Sequence, residues 1–483
     1  MLNFKRLYLL YVLIFAVVMV GCKDKDVAPA VQTLDSTTTA DNPDINSWLY
    51  DVMDDAYFWY KNLPAKTSLD NSIDPHDYFE KLVYQRATVD RFSAVTDDID
   101  ALQDEFDGIS KIFGISYSLS FTDNGKSNIA AFLNYVVKGS PAEIAGLKRG
   151  DILMKVNGTQ LTSTNYTSLL SGNETATFTL GELSGSAIVA GSKTVTMTKA
   201  QVSEDPVLFS TVISKPALGK TVGYLVYTQF VPGTDTDKSK YDNELRQVFA
   251  DFKSKGVNEL VLDLRFNPGG YLSSAETLAS LIGPGVSSSK VFYKEQWNDK
   301  YTAYWQKTQG AGALNYTFLN EPNNIGGNLS RVFVLTSNGT ASASELVING
   351  LKPYTSVIRI GEHTAGKNLF GQLISDDQKR WKWGVYIMLG QTANANGESD
   401  YGTINGMTPD YEVEDSTVPY LPFGDENETL LRKALDVMGI PAPNGQRLAA
   451  TTSVETFRKM LHDDLQTKEN RMIRRGNVRA IPQ

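Results

Sequence analysis

Ser342 and Lys367 are the residues of this chain whose types and surroundings could perform acyl transfer. Ser342 ends the segment VFVLTSNGTAS, in which an apolar strand stops at Thr336, passes a small polar loop and enters a helix near Ser342. The first N–H groups of a helix lack intrahelical partners and the helix dipole is positive there. The Ala343 N–H can therefore face an oxyanion formed by attack of Ser342 on a carbonyl. The spacing Ser342-x-x-Glu345 is also a capping box, which starts ordinary helices, and taken alone the segment favours that reading. A lysine replaces histidine as a general base when burial lowers its pKa towards neutral, because desolvation disfavours the ammonium form. Exposed lysines do nothing of the kind, so Lys367 by itself decides nothing.

Two further loops change the balance. VLDLRFNPGG, from Val261 to Gly270, runs a buried strand into a Gly-rich turn whose backbone can approach a ligand closely. GEHTAGKN, from Gly361 to Asn368, puts Lys367 in another glycine-containing loop after a strand. The strands that must carry these loops are Leu260–Leu264, Val332–Leu335 and Val357–Ile360, preceded by Val222–Tyr227 and a helix marked by Tyr241, Leu245, Val248, Phe249 and Phe252. Alternating strands and helices predict an α/β sheet, and loops that all follow strands can meet at one sheet edge, a usual place for a site. Metal and thiol chemistry is not expected. Cys22 is the only cysteine, His76, His363 and His462 are scattered, and no H-E-x-x-H occurs. Asp235-x-Asp237-x-Ser239 begins like a calcium loop but has Lys240 in the glycine position. The absence of G-x-S-x-G argues against an α/β-hydrolase esterase.

Between residues 108 and 200 the pattern becomes short strands and Gly/Asn/Ser turns. The stretch GSPAEIAGLKRGDILMKVNG, Gly139 to Gly158, resembles a PDZ domain of bacterial peptidases. The resemblance implies capture of a C-terminal peptide as an added strand, with its carboxylate held by the loop Phe113-Gly114-Ile115; the alternative is a rigid spacer. With DLRxNPGG, TASASE, GExTxGK and the later GMTPD (Gly406 to Asp410), the chain resembles the C-terminal-processing, or tail-specific, serine peptidases over most of its length. That resemblance implies a Ser342–Lys367 dyad, separated by the 25 residues usual in the family, with Ser344 a bystander. It also implies oxyanion donors at Ala343, Gly269 and Gly270, and a catalytic core of the crotonase/Clp-protease α/β type. Where the family often has Gly and Gln after the lysine, this chain has Asn368, Gly371 and then Gln372, and Pro353 replaces an Asp. The group orienting Lys367 is thus open between Gln372 and Glu345. His363 stands at a variable position of the same loop.

The expected architecture is a multidomain α/β protein. It comprises a helical N-terminal domain (44–107), a PDZ-like β-rich domain (108–200), a Ser-Lys peptidase domain (201–442) and a C-terminal tail (443–483). The helical part rests on Ile45, Trp48, Leu49, Val52, Ala56 and Trp59 at three- and four-residue spacing. The tail, basic at Lys468, Arg471, Arg474, Arg475 and Arg479, is expected to be a solvated end. A net charge of −9 disfavours a nucleic-acid protein, whose footprint is a basic stripe. The partners expected are protein or peptide substrates with free or unstructured C-termini, and no cofactor is implied. The competing class is a catalytically silent PDZ lipoprotein that scaffolds partners.

At the start, Lys5 and Arg6 precede an apolar run from Leu7 to Gly21, shorter than the roughly 20 residues of a membrane span. Its end, Met19-Val20-Gly21-Cys22, resembles a bacterial lipobox, which implies a signal peptide (1–21), a lipid on Cys22 and a flexible tether (22–43). Lys23-Asp24-Lys25-Asp26 resembles the export tags of some Bacteroidetes lipoproteins and favours the outer membrane over the inner. Mass spectrometry of the mature N-terminus is expected to find Cys22 first and diacylglyceryl-modified; an unmodified Cys22 removes the anchor.

Overall fold

The structure is a computed structural model. It describes residues 42–443 apart from 124–126, 186, 416 and 417, together with the backbone of two tail strands, Lys459–Asp463 and Met472–Ile473. Cys22 and the lipobox lie outside the described residues.

A six-stranded sheet organises the α/β part. Its order is Val207–Lys215, Lys220–Tyr227, Glu259–Asp263, Arg331–Thr336, Ser356–Gly361, Tyr411–Glu412; the first pair is antiparallel and the rest are parallel. The strand Glu259–Asp263 is buried throughout, as a central strand covered on both faces must be. Alternation divides its side chains. Leu260 and Leu262 join Leu225, Val332 and Val334 beneath the helices Lys240–Ser254, Leu272–Ile282 and Ala343–Leu351. Val261 points the other way, into a cluster with Tyr224, Phe333, Leu335 and the helix Thr429–Val437. Because three neighbouring strands run parallel, the segments 264–270, 337–342 and 362–368 leave the same edge of the sheet, as the sequence predicts.

A second sheet, built on Leu369–Ser375, Gly384–Asn394 and Val291–Trp297, lies beside it. The N-terminal helices Asn42–Ala56 and Pro75–Leu82 do not have a core of their own. Their Ile45, Leu49, Met53, Phe79 and Leu82 share one cluster with Tyr386 and Met388 of the second sheet. The PDZ-like unit does have its own core, including Phe113, Leu119, Leu133, Leu153 and Phe178. Ser140 caps its short helix Pro141–Ile144 by accepting the Glu143 N–H. Two short pieces of the tail are paired, Lys459–Asp463 with Ile115–Phe121 and Met472–Ile473 with Gly270–Tyr271, while the basic residues expected at a solvated end lie outside the described residues.

A buried ionic cluster ties the PDZ-like unit to loops of the α/β part. Arg265 binds Asp263 at 2.8 Å, Asp415 at 2.7 Å and Glu428 at 2.7 Å, and Arg149 of the PDZ unit reaches the same Glu428 oxygen at 3.2 Å. Burial alone would raise the Glu428 carboxyl, but Arg265 and then Arg149 bring it down to about 2. A folded value below the unfolded one makes the contribution complete above pH ~4.3, and lost as the pH falls through about 2. Glu428→Gln is expected to cost about 3–5 kcal/mol at neutral pH, because two buried guanidinium groups lose their shared carboxylate. In calorimetry its melting temperature should fall, and its dependence on pH between about 4 and 2 should flatten relative to the parent.

Candidate active site

Ser342 immediately precedes the helix Ala343–Leu351 with φ 60° and ψ −112°, a conformation unfavourable for any residue with a Cβ. Such a conformation costs on the order of 1–3 kcal/mol and persists only where surrounding bonds over-determine it. They do here. The Ser342 N–H donates to Glu345 Oε2 at 2.8 Å, the Ala341 N–H to the Asn267 carbonyl at 3.1 Å, and Ser344 Oγ to the same carbonyl at 3.0 Å. Ser344 is thereby committed to holding the loop. The Ser342 hydroxyl, in contrast, is buried and hydrogen-bonded to nothing among the described residues.

Lys367 is fully buried, and its Nζ lies 3.4 Å from the Tyr386 hydroxyl and 4.9 Å from the centre of the Phe92 ring. The loop that carries it is fixed to the serine helix by one carboxylate. Glu345 Oε2 accepts the Lys367 N–H at 2.8 Å, and Oε1 accepts the Gly366 N–H at 2.8 Å and the Thr364 hydroxyl. Burial pushes the Glu345 carboxyl upward, and the bonds from Thr364, Lys367, Ser342 and Gly366 pull against it. Of the two residues open for orienting Lys367, Glu345 is thus bonded to its backbone. The Gln372 side-chain oxygen is buried and has no hydrogen-bond partner among the described residues, so no bond from it to the amine is present there.

Sequence reasoning missed Tyr386, Phe92 and Arg91. The Arg91 guanidinium donates to the carbonyls of Ala365 at 3.0 Å and Gly366 at 2.9 Å, clamping the lysine loop from the N-terminal region. No motif marks these residues. Ser93 Oγ, which accepts the Met388 N–H at 3.1 Å, anchors the same segment to the second sheet.

The glycine pair divides in function. The Gly269 N–H donates to Asn267 Oδ1 at 2.9 Å, so it is not available as the oxyanion donor expected from the resemblance. Gly269 matters for space instead: at φ 110°, a Cβ there would stand 2.7 Å from the Ser342 Cβ. Of the donors expected from the resemblance, Ala343, which directly follows Ser342, and Gly270 are the remaining candidates. His363 is exposed, with Nδ1 3.0 Å from the Asn405 carbonyl, away from this arrangement.

In the PDZ unit, Gly114 has φ 84° and packs so closely on Ser140 that a Cβ would meet it at 2.1 Å. The loop's carbonyls are occupied, Phe113 accepting the Ala142 N–H and Gly114 the Val137 N–H, both at 2.9 Å. One cavity of about 380 Å³ has Phe113, Gly114 and Ile115 in its wall together with Leu170, Gly269 and Gly270. The peptide loop and the loop beside Ser342 therefore open onto the same space.

Comparison with known proteins agrees with this geometry. Residues 221–413 match the family model of peptidase family S41, 44–94 that of the S41 N-terminal domain, and 132–180 a PDZ domain. The solved structure of a Bacteroides fragilis protein assigned to the S41 proteases is 32% identical with TM-score 0.68, covering 81% of this chain and 97% of that one. The chain belongs to peptidase family S41. Curated S41-like relatives include the carboxyl-terminal-processing protease of Picosynechococcus, 26% identical over 305 residues (62% of this chain, 64% of that protein). Another is the carboxy-terminal processing protease CtpA of Bacillus subtilis, 25% identical over 295 residues (61% and 55%). The match thus spans less than two thirds of either relative's length. Within this S41 fold the close approach of Gly269 to Ser342 makes a direct test. Gly269→Ala is expected to lower the rate of peptide hydrolysis on the order of 10²-fold by displacing Ser342, with circular dichroism unchanged.

Proposed function

We propose that this chain is a serine endopeptidase of the C-terminal-processing kind, hydrolysing envelope proteins or peptides that reach its PDZ groove. The observation that carries the reading is the Glu345 carboxylate, which holds the backbone of Ser342 and of Lys367 at once. A carboxylate that only capped a helix would have no reason to grip a lysine loop 22 residues on.

In this reading the neutral Lys367 amine takes the Ser342 proton as Oγ attacks the scissile carbonyl. The Ala343 and Gly270 N–H groups hold the oxyanion. Collapse breaks the C–N bond, Lys367 returns the proton to the leaving amine, and an acyl-enzyme remains. Water, deprotonated by the same amine, attacks the ester, and a second collapse frees the carboxylate and restores Ser342. One water is consumed per bond and no cofactor takes part. Ser342 Oγ has no hydrogen-bond partner among the described residues, and in this reading its bond to Lys367 forms as substrate binds. Phe113, Gly114 and Ile115 receive the peptide's terminal carboxylate, and a lipid on Cys22 keeps the enzyme at a bacterial envelope membrane. The relatives' roles as carboxyl-terminal-processing proteases support the substrate class.

Four variants test the chemistry. Ser342→Ala and Lys367→Ala are expected to abolish turnover with the fold intact. Lys367→Arg should be equally inactive, since a guanidinium stays protonated to about pH 12 or beyond and cannot accept the proton. His363→Ala should keep most of the activity. In the parent enzyme the rate should rise with pH as the free amine becomes populated. A Lys367→Arg enzyme near the parental rate, or a His363→Ala enzyme as inactive as Ser342→Ala, would overturn the dyad.

A further inference from the structure

The two tail strands have no part in the reaction described above, yet they lie along its peptide path. Lys459–Asp463 runs antiparallel to Ile115–Phe121, with Lys459 opposite Ser120 and Asp463 opposite Ser118. That strand begins at the Phe113-Gly114-Ile115 loop, and a PDZ-type domain takes its ligand as an added strand on such an edge. Met472–Ile473 then pairs in parallel with Gly270–Tyr271, the first of which is a proposed oxyanion donor, and at Gly371 with the strand that follows the lysine loop. One cavity wall contains both the Phe113–Ile115 loop and Gly269–Gly270. The nine residue steps from 463 to 472 reach about 30 Å when extended. Ser342 and Lys367 are both fully buried in the chain, so an external peptide cannot meet them until what covers them shifts.

Charge favours the same partner. Between Asp97 and Asp107 the chain carries six carboxylates, Asp97, Asp98, Asp100, Asp104, Glu105 and Asp107, and no basic residue. This acidic stretch touches the second docking point, because the Tyr271 hydroxyl donates to Asp107 and accepts from Gln103. Asp104 is pushed up by burial and then by Asp235, Asp107, Asp100 and Asp98, the mark of negative charge in excess. In the sequence, Met472–Ile473 is bracketed by Arg471, Arg474 and Arg475.

We propose that the chain's own tail, through its strands Lys459–Asp463 and Met472–Ile473, occupies the peptide groove in cis and competes there with external peptides. The groove's purpose rests on the peptidase reading; the strand pairing does not. A tethered competitor acts at an effective concentration on the order of millimolar. An external peptide then binds with its intrinsic Kd divided by the fraction of grooves left open.

The test uses the full chain carrying Ser342→Ala, with binding of a fluorescein-labelled peptide bearing a free C-terminus read by polarisation. Leu461→Pro puts a residue with a fixed φ and no N–H in the middle of the first tail strand, which disfavours strand pairing. It is expected to tighten Kd by at least about ten-fold relative to Ser342→Ala alone. Arg471→Glu, Arg474→Glu and Arg475→Glu combined leave the backbone intact and should also tighten it, most at low salt. A synthetic peptide of residues 456–476 should displace the label from the Leu461→Pro protein. Unchanged Kd in both variants overturns the proposal. Tightening that varies with protein concentration overturns the cis assignment in favour of a second copy's tail. With Ser342 restored, the same variants should lower KM and hold kcat. Tightened binding in a chain that never turns over would leave the tail proposal standing and count against the peptidase reading.

Discussion

The arrangement depends on one buried carboxylate with four donors. Glu345 sits in the first turn of the serine helix, and its oxygens collect the N–H groups of Ser342, Gly366 and Lys367 and the Thr364 hydroxyl. Each donor belongs to a loop that would otherwise choose among many conformations. Together they impose the strained backbone at Ser342 and the position of Lys367. An ionised carboxylate can accept four bonds and would be costly to bury with fewer. Satisfying Glu345 and building the site are therefore the same event.

A second tie works at longer range. Arg265 lies five residues before Gly270, and its guanidinium is shared among Asp263, Asp415 and Glu428. Its own carbonyl accepts the Ser337 hydroxyl, and the Leu264 carbonyl accepts the Thr340 hydroxyl at 2.8 Å. The loops at the end of three parallel strands are thus bonded to one another before any substrate arrives. Such preorganisation is what electrostatic stabilisation of an oxyanion requires, since donors that must first be oriented lose part of their effect.

Much of this was legible in the sequence. Continuous apolar strands with Gly-containing loops after them announced a parallel sheet and a common edge, because burial on both faces leaves few residue types possible. Ser342, Lys367 and the PDZ loop followed from motifs, and Glu345 was one of two candidates. Phe92, Tyr386 and Arg91 were not legible. They reach the lysine from segments remote in the chain, and aromatic residues there read as core, which they also are. Gly269 was assigned a donor's part; only the position of Asn267 Oδ1 decides where its N–H points. The tail strands left no signal, since strand addition uses backbone bonds that any side chain permits.

Arg149 is the residue through which the PDZ unit enters the ionic cluster, and its guanidinium also lies over the Tyr420 and Phe423 rings, 4.6 and 4.5 Å from their centres. A peptide-binding module joined in this way is not an interchangeable part. A chimera carrying a foreign PDZ with an uncharged residue at this position would leave Glu428 and Asp415 with one cation in place of two, at the base of the loop that carries Gly269 and Gly270. An engineered change of peptide specificity therefore leaves this seam intact only if it is made on the groove's own surface or carries Arg149 with it.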